Sequence, residues 1–305
     1  MAGRAPRIGV IVHRGRDALF NSLIKSLEEH GYVDGKTIAL EPRFAEGVLE
    51  RTTGFAADLV AQDVDLIIAI GFVGAQAAQR ATSRIPIIYS IVLDPVATGF
   101  AAAFDRPGGN MAGVTNYDPN LAVEQFSLLK EVVPDLKCVG ILSDVDIPRP
   151  DGWNSLERAN DIAARSLGLE PQWVRVKGPM PEREAAFRTM VDGGVQALQV
   201  LEVPVMIADF QAVAALAIEH RLPSMFPGGW QHEGLMGYGT SLLQTVPEIP
   251  GLVGQILKGA NPGDIPVKQV RQHRLRLNLS TARKIGLDVP QEVIKRASEV
   301  ISIGV

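Results

Sequence analysis

Short apolar runs alternate with longer segments of helical period along the chain, the pattern of an α/β protein with parallel sheets. Ile8–Val12 reads as the first strand. Leu19, Phe20, Leu23, Ile24 and Leu27 then recur at helical spacing over Ala18–His30, and Gly31 stops them. A strand is expected near Thr37–Arg43 and a helix from about Arg51 to Gln62. Leu66–Ile70 is apolar at every position, as a strand covered by helices on both faces requires. A helix to about Thr82 and a strand over Ile85–Ile91 complete this half.

The second half repeats the plan. Val139-Gly140-Ile141-Leu142 echoes Ile8-Gly9-Val10-Ile11, Val195–Leu201 echoes Val64–Ile70, and Ile218–Pro223 echoes Thr82–Pro86. Two similar lobes follow, with a hinge around Gly113–Pro119. In the tail, Ile249–Leu257 is helical, Arg274–Leu279 alternates like a strand, and Leu287–Val300 suggests a last helix. Such a tail crosses back to lobe one and then returns. Lobe one is therefore expected over residues 1–116 plus about 244–273, and lobe two over about 117–243 plus 274–305. Lobes joined by several crossings form a cleft, and α/β sheets hold ligands beyond the carboxyl ends of their strands.

Composition narrows the function. With 305 residues, each lobe is large enough to build its own core. Thirty basic against 34 acidic residues, a formal charge of −4, argue against a nucleic-acid binder. The single cysteine, Cys138, excludes an internal disulfide or a Cys-based metal cluster and reads as a small core residue. The longest apolar stretches reach about half of the roughly 20 residues a bilayer span needs, so direct membrane insertion is not expected. No charged segment followed by an apolar one opens the chain, so no signal peptide is expected in it.

Catalysis finds little support. There is no G-x-S-x-G elbow, H-E-x-x-H or P-loop, and Gly71-Phe72-Val73-Gly74 lacks dinucleotide-fingerprint spacing. The five histidines show no close pairing; His30 and His220 sit at predicted helix ends, where an imidazole suits the dipole. No enzyme, metal or cofactor is expected.

Polar and aromatic residues just past strand ends say more. They are His13 and Arg14 after the first strand, Gly71 and Phe72 after the third, and Ser90 and Asp94 after the fourth. Tyr117 follows at the crossing, and Asp144, Glu202, Phe226 and Trp230 in lobe two. Each alone is ordinary as a capped turn or rim residue; together they outline a pocket. Asp94-Pro95 reads as an N-cap with proline at N1, or as the start of a helix whose amides hold an anion. Phe72 is either a packing plug or a ligand wall. The wall reading is preferred, because a turn at a strand's carboxyl end cannot easily bury a ring in its own lobe.

Gly31-Tyr32-Val33-Asp34-Gly35-Lys36 with Arg43-Phe44-Ala45-Glu46-Gly47 resembles a signature of ABC-transporter substrate-binding proteins of the tryptophan and aromatic-amino-acid type. The likeness continues through Asp94-Pro95-Val96, Arg106–Asn110, Gly234–Gly239, Ile256–Pro262 and Asn278–Ala282. It implies a type I periplasmic-binding-protein fold, with two Rossmann-like lobes, three crossings and ligand-driven closure. It also implies a non-enzymatic solute-binding protein of an ABC import system, working with ABC permease subunits outside the cytoplasm. The small-molecule ligand implied is an aromatic or branched amino acid. Phe72 departs from the small hydroxyl residue common there. The missing export signal keeps a second reading open: a cytoplasmic ligand sensor of the same fold, acting through a protein partner.

Overall fold

The computed structural model describes residues 4–12, 15–16, 18–46, 48–145, 154–177, 180–203, 206, 210–229 and 233–302. The chain divides into two compact units, Met1–Tyr117 with Leu242–Val270 and Asp118–Ser241 with Arg271–Val305. It passes between them three times. The third passage comes three residues earlier than expected, because Gln272 and His273 are hydrogen-bonded to Thr240 of the second unit.

In the first unit, β1 (Arg7–Val12), β2 (Ala39–Phe44), β3 (Leu66–Ile70), β4 (Ile87–Ser90), β5 (Met111–Thr115) and β11 (Lys268–Gln269) form one sheet. Its order is β11-β5-β4-β3-β1-β2, and every pair is parallel. The helices are α1 (Ala18–Glu29), α2 (Leu49–Ala61), α3 (Phe72–Ala81) and α8 (Ile249–Leu257). Side-chain alternation along the strands supplies two cores. Ile8, Val10, Leu66 and Ile68 pack with Phe20, Leu23 and Val253 of α1 and α8; Ile11, Ile67 and Ala69 pack with Leu59, Ala75 and Ala78 of α2 and α3. Strand β4 is shorter than expected, since Pro86 precedes it and Ile91 turns to φ 62° after it. Gly113 is required by packing: a Cβ there would sit 2.1 Å from the Tyr89 ring.

The second unit carries β6 (Cys138–Asp144), β7 (Glu170–Val176), β8 (Ala197–Val200), β9 (Ser224–Pro227), β10 (Met236–Gly239), β12 (Arg274–Asn278) and β13 (Glu299–Ile301). They lie in the order β13-β12-β10-β9-β8-β6-β7. The helices are α4 (Leu121–Val132), α5 (Ser155–Ser166), α6 (Met180–Asp192), α7 (Phe210–Glu219), α9 (Leu279–Ile285) and α10 (Gln291–Arg296). All pairs are parallel except β10 with β12, where Gly239 at the end of one faces Arg274 at the start of the other. The chain leaves this unit where β10 ends and re-enters beside it, so β12 must run the other way. The tail also corrects the expected last helix. Gly286 caps α9, Pro290 opens α10, and Glu299–Ile301 then adds an edge strand.

Candidate functional site

Parallel pairing puts the carboxyl ends of neighbouring strands on one edge of each sheet. In the first unit Val12 pairs with Ile70, Ile70 with Ser90, and Ser90 with Val114. The segments that follow, starting at Gly71, Ile91 and Asn116, therefore leave from the same edge. Gly71 turns the chain from β3 into α3 at φ 88°, a conformation glycine adopts without steric cost. Phe72, the first residue of α3, is half-buried, with its ring 5.6 Å from that of Phe100. The ring thus finds a packing partner in its own unit, contrary to the geometric argument made from the sequence.

Ser90 is 1% exposed, and its hydroxyl lies 3.1 Å from that of Thr245. The Ile91 backbone beyond it is strained, since a β-branched residue seldom adopts positive φ. The Thr115 hydroxyl holds the following loop through the carbonyls of Val92 (2.7 Å) and Leu93 (2.9 Å). The same hydroxyl accepts the Tyr117 amide at 2.9 Å, and Tyr117 itself is half-buried. Asp94 caps as expected, its carboxylate accepting the amides of Val96 and Ala97 at 3.1 and 3.0 Å. What it caps is a turn over residues 95–99 rather than a regular helix.

In the second unit, Asp144 ends β6 and is 5% exposed, while Glu202 lies half-buried just past β8. Beside Asp144 sits a charged cluster that sequence reasoning missed. Glu157, wholly buried, accepts from Ser143 at 2.7 Å and from Arg175 at 3.0 Å. Its backbone amide donates to Asn154, the N-cap of α5. The Asn154-x-x-Glu157 spacing, a capping-box pattern, was the available signal. The Arg175 guanidinium lies 5.3 Å over the Trp173 ring, whose N–H donates to Asp161. Phe226 is a correction: it is fully buried with its ring edge-on to Phe210, because its position in β9 points it into the core. His13, Arg14 and Trp230 lie outside the described residues.

His232 also lies outside the described residues, and the three described histidines are structural neighbours of other groups. His30 Nδ1 lies 2.8 Å from the Ser26 carbonyl in the last turn of α1, and His220 stacks on Phe187. His273 bonds Asp118 and Thr240, a pairing across 155 positions that no local spacing announces. Burial pushes the Asp118 carboxyl up, but the Asn120 amide, the His273 ring and Arg271 outweigh it and hold it below the usual carboxylate range. Among the described residues, no group of three or more His, Cys, Asp or Glu is placed to hold a metal ion, and no helix is long and apolar enough to cross a membrane.

A family model described as ABC transporter substrate binding protein matches residues 7–301. A tyrosine-binding protein of Clostridioides difficile (strain R20291) is 26% identical over 285 residues, covering 91% of this chain and 79% of that protein. The ABC domain in complex with L-Trp from Streptococcus pneumoniae superimposes with a TM-score of 0.83 at 23% identity, over 97% of this chain and all of that one. A conserved domain protein from Vibrio cholerae gives a TM-score of 0.85 at 20% identity, over 97% of this chain and 100% of that one. The architecture, two doubly wound units with three passages between them, is that of the type I periplasmic binding proteins.

Proposed function

We propose that this chain, which belongs to the ABC transporter substrate binding protein family, captures an aromatic amino acid between its two units and delivers it to an ABC permease for import. The observation that carries this reading is the family match running through both units, from residue 7 to residue 301. The tyrosine-binding and L-Trp-bound relatives support the ligand class.

The chemistry of the strand edges suits a zwitterion with a ring. The first-turn amides of α3, at the carboxyl end of β3, have no acceptor within the helix and would receive the ligand carboxylate. Asp144, at the end of β6, would face the ammonium group. Phe72 would stack on the ligand ring with the face not taken by Phe100. Closure of the units over the ligand would exclude water and strengthen these contacts. No chemical step is required of the site, and the protein acts as a binder rather than an enzyme.

A thermal-shift and calorimetry screen tests this. L-Tyr or L-Trp should stabilise the protein by about 2.7 kcal/mol at a hundredfold excess over Kd. Stabilisation by a sugar, with none from any aromatic amino acid, would overturn the ligand class.

A further inference from the structure

We propose that His273 is a positioning residue for ligand capture, clasping on the second unit the three chain segments that pass to the first. This rests on the binding reading above. The three segments reach the second unit at Asp118, leave it after Ser241, and return at Arg271. One imidazole touches all of them: His273, on the third segment, has Nε2 3.1 Å from Asp118 Oδ2 on the first and Nδ1 2.9 Å from Thr240 Oγ1 on the second.

The surrounding bonds fix the arrangement. Thr240 Oγ1 also accepts the Gln272 amide at 2.8 Å, so the second and third segments meet twice at this hydroxyl. A carboxylate only accepts, so Nε2–H donates to Asp118, and both ring nitrogens have a partner on another segment. The opposite carboxylate oxygen accepts the Asn120 amide at 2.9 Å, and Arg271 stands 3.7 Å from Asp118. The Tyr238 ring, 5.6 Å away, closes one side of the imidazole. The His273 and Asp118 side chains are only 13% and 9% exposed, so water competes weakly for these bonds.

A clasp at this place has a mechanical consequence. If each segment were anchored separately, bending at one would leave the others free, and the closed form would bear a larger ordering cost. Tied through one ring, the three move as a single foot on the second unit. The energy lost by untying them should appear as weaker ligand binding beyond any loss of second-unit stability.

The test uses the full chain without ligand first. In His273→Ala, amide exchange should accelerate together across residues 118–121, 239–242 and 271–274, with the cores unchanged. His273→Gln, whose amide reaches the Nε2 position, should restore protection at 118–121. Affinity for L-Tyr or L-Trp should fall about tenfold in His273→Ala and recover to within about threefold in His273→Gln. Exchange confined to residues 271–274, or an unchanged affinity, would overturn the clasp. Should His273→Ala fail to fold, Asp118→Asn gives the same reading from the other end of the bond. Failure of the wild-type protein to bind any aromatic amino acid would instead overturn the binding reading, and the exchange pattern would still decide the clasp.

Discussion

The hydroxyls of Ser90 and Thr245, 155 positions apart in the chain, meet at 3.1 Å inside the first unit, where they are 1% and 0% exposed. Ser90 ends β4 on the edge the ligand is proposed to use, and Thr245 comes from the short 3-10 helix Leu242–Glu248 that follows the second passage. The pair therefore ties the returning chain to the strand edge. Removing one partner leaves a buried hydroxyl short of a bond, which costs about 1–3 kcal/mol. Thr245→Val, which keeps the shape, should lower stability by that amount in denaturant titrations. Adding Ser90→Ala should recover part of the loss, and a strictly additive double mutant would show that the two hydroxyls are not coupled.

Tyr89 gives a prediction of opposite sign. Its ring lies over Gly113, its side chain is wholly buried, and its hydroxyl has no hydrogen-bond partner among the described residues. Burial raises the phenol well above its ordinary value, so the folded protein holds the proton after the unfolded chain releases it. Stability is thus unaffected below about pH 10, the unfolded value, and falls as pH rises beyond it. Tyr89→Phe should leave stability at pH 7 unchanged or raise it by up to about 1 kcal/mol, and should flatten the alkaline loss. Gly113→Ala should destabilise strongly, since both the ring and β5 would have to move.

How much of this was legible follows from what each feature depends on. The apolar run Leu66–Ile70 and the spaced Phe20, Leu23 and Leu27 depend on burial alone, and burial writes a period into the sequence. The helix Ile249–Leu257 was read to the residue for the same reason. Strand β12 was read as a strand, but its antiparallel direction depends on where the chain re-enters, which no local pattern records. Among the candidate site residues, Asp94 and Gly71 carry local turn chemistry, and the cap and the strand-to-helix turn they make were legible. Glu157 with Arg175, Ser90 with Thr245 and His273 with Asp118 are partners across distant segments. Phe226 was misplaced because an aromatic near a strand end looks the same in the sequence whether it faces a pocket or a core.

Acid should weaken the second unit through Asp118. Its carboxyl is held below the usual range despite burial, with the Asn120 amide, His273 and Arg271 favouring the charged form and Tyr238 and Glu124 nearby. A depressed value contributes stability that is complete above the unfolded carboxyl value of about 3.9 and is lost as pH falls through the folded one. Asp118→Asn should therefore cost stability at pH 6, and progressively less as the pH falls below the unfolded carboxyl value. Urea midpoints followed from pH 6 to pH 2.5 should converge for the two proteins; parallel curves would show that Asp118 is not the acid-sensitive group.

Phe72 separates packing from recognition. Its ring touches Phe100 in the first unit, yet it opens a helix at the carboxyl end of β3 and remains half-buried. A ring lost from such a position forfeits some apolar burial and an aromatic contact of about 0.5–1.5 kcal/mol. If it also forms a wall against the ligand ring, Phe72→Ala should weaken binding of L-Tyr or L-Trp at least several-fold. Phe72→Leu should keep most of the stability while recovering less of the affinity, because a branched chain fills volume without presenting a flat face. Phe100→Ala is the control, since it removes the partner ring from behind and should lower the melting temperature more than the affinity. Calorimetry showing unchanged affinity in Phe72→Ala, together with a melting temperature lowered by several degrees, would place Phe72 wholly in the packing of its own unit.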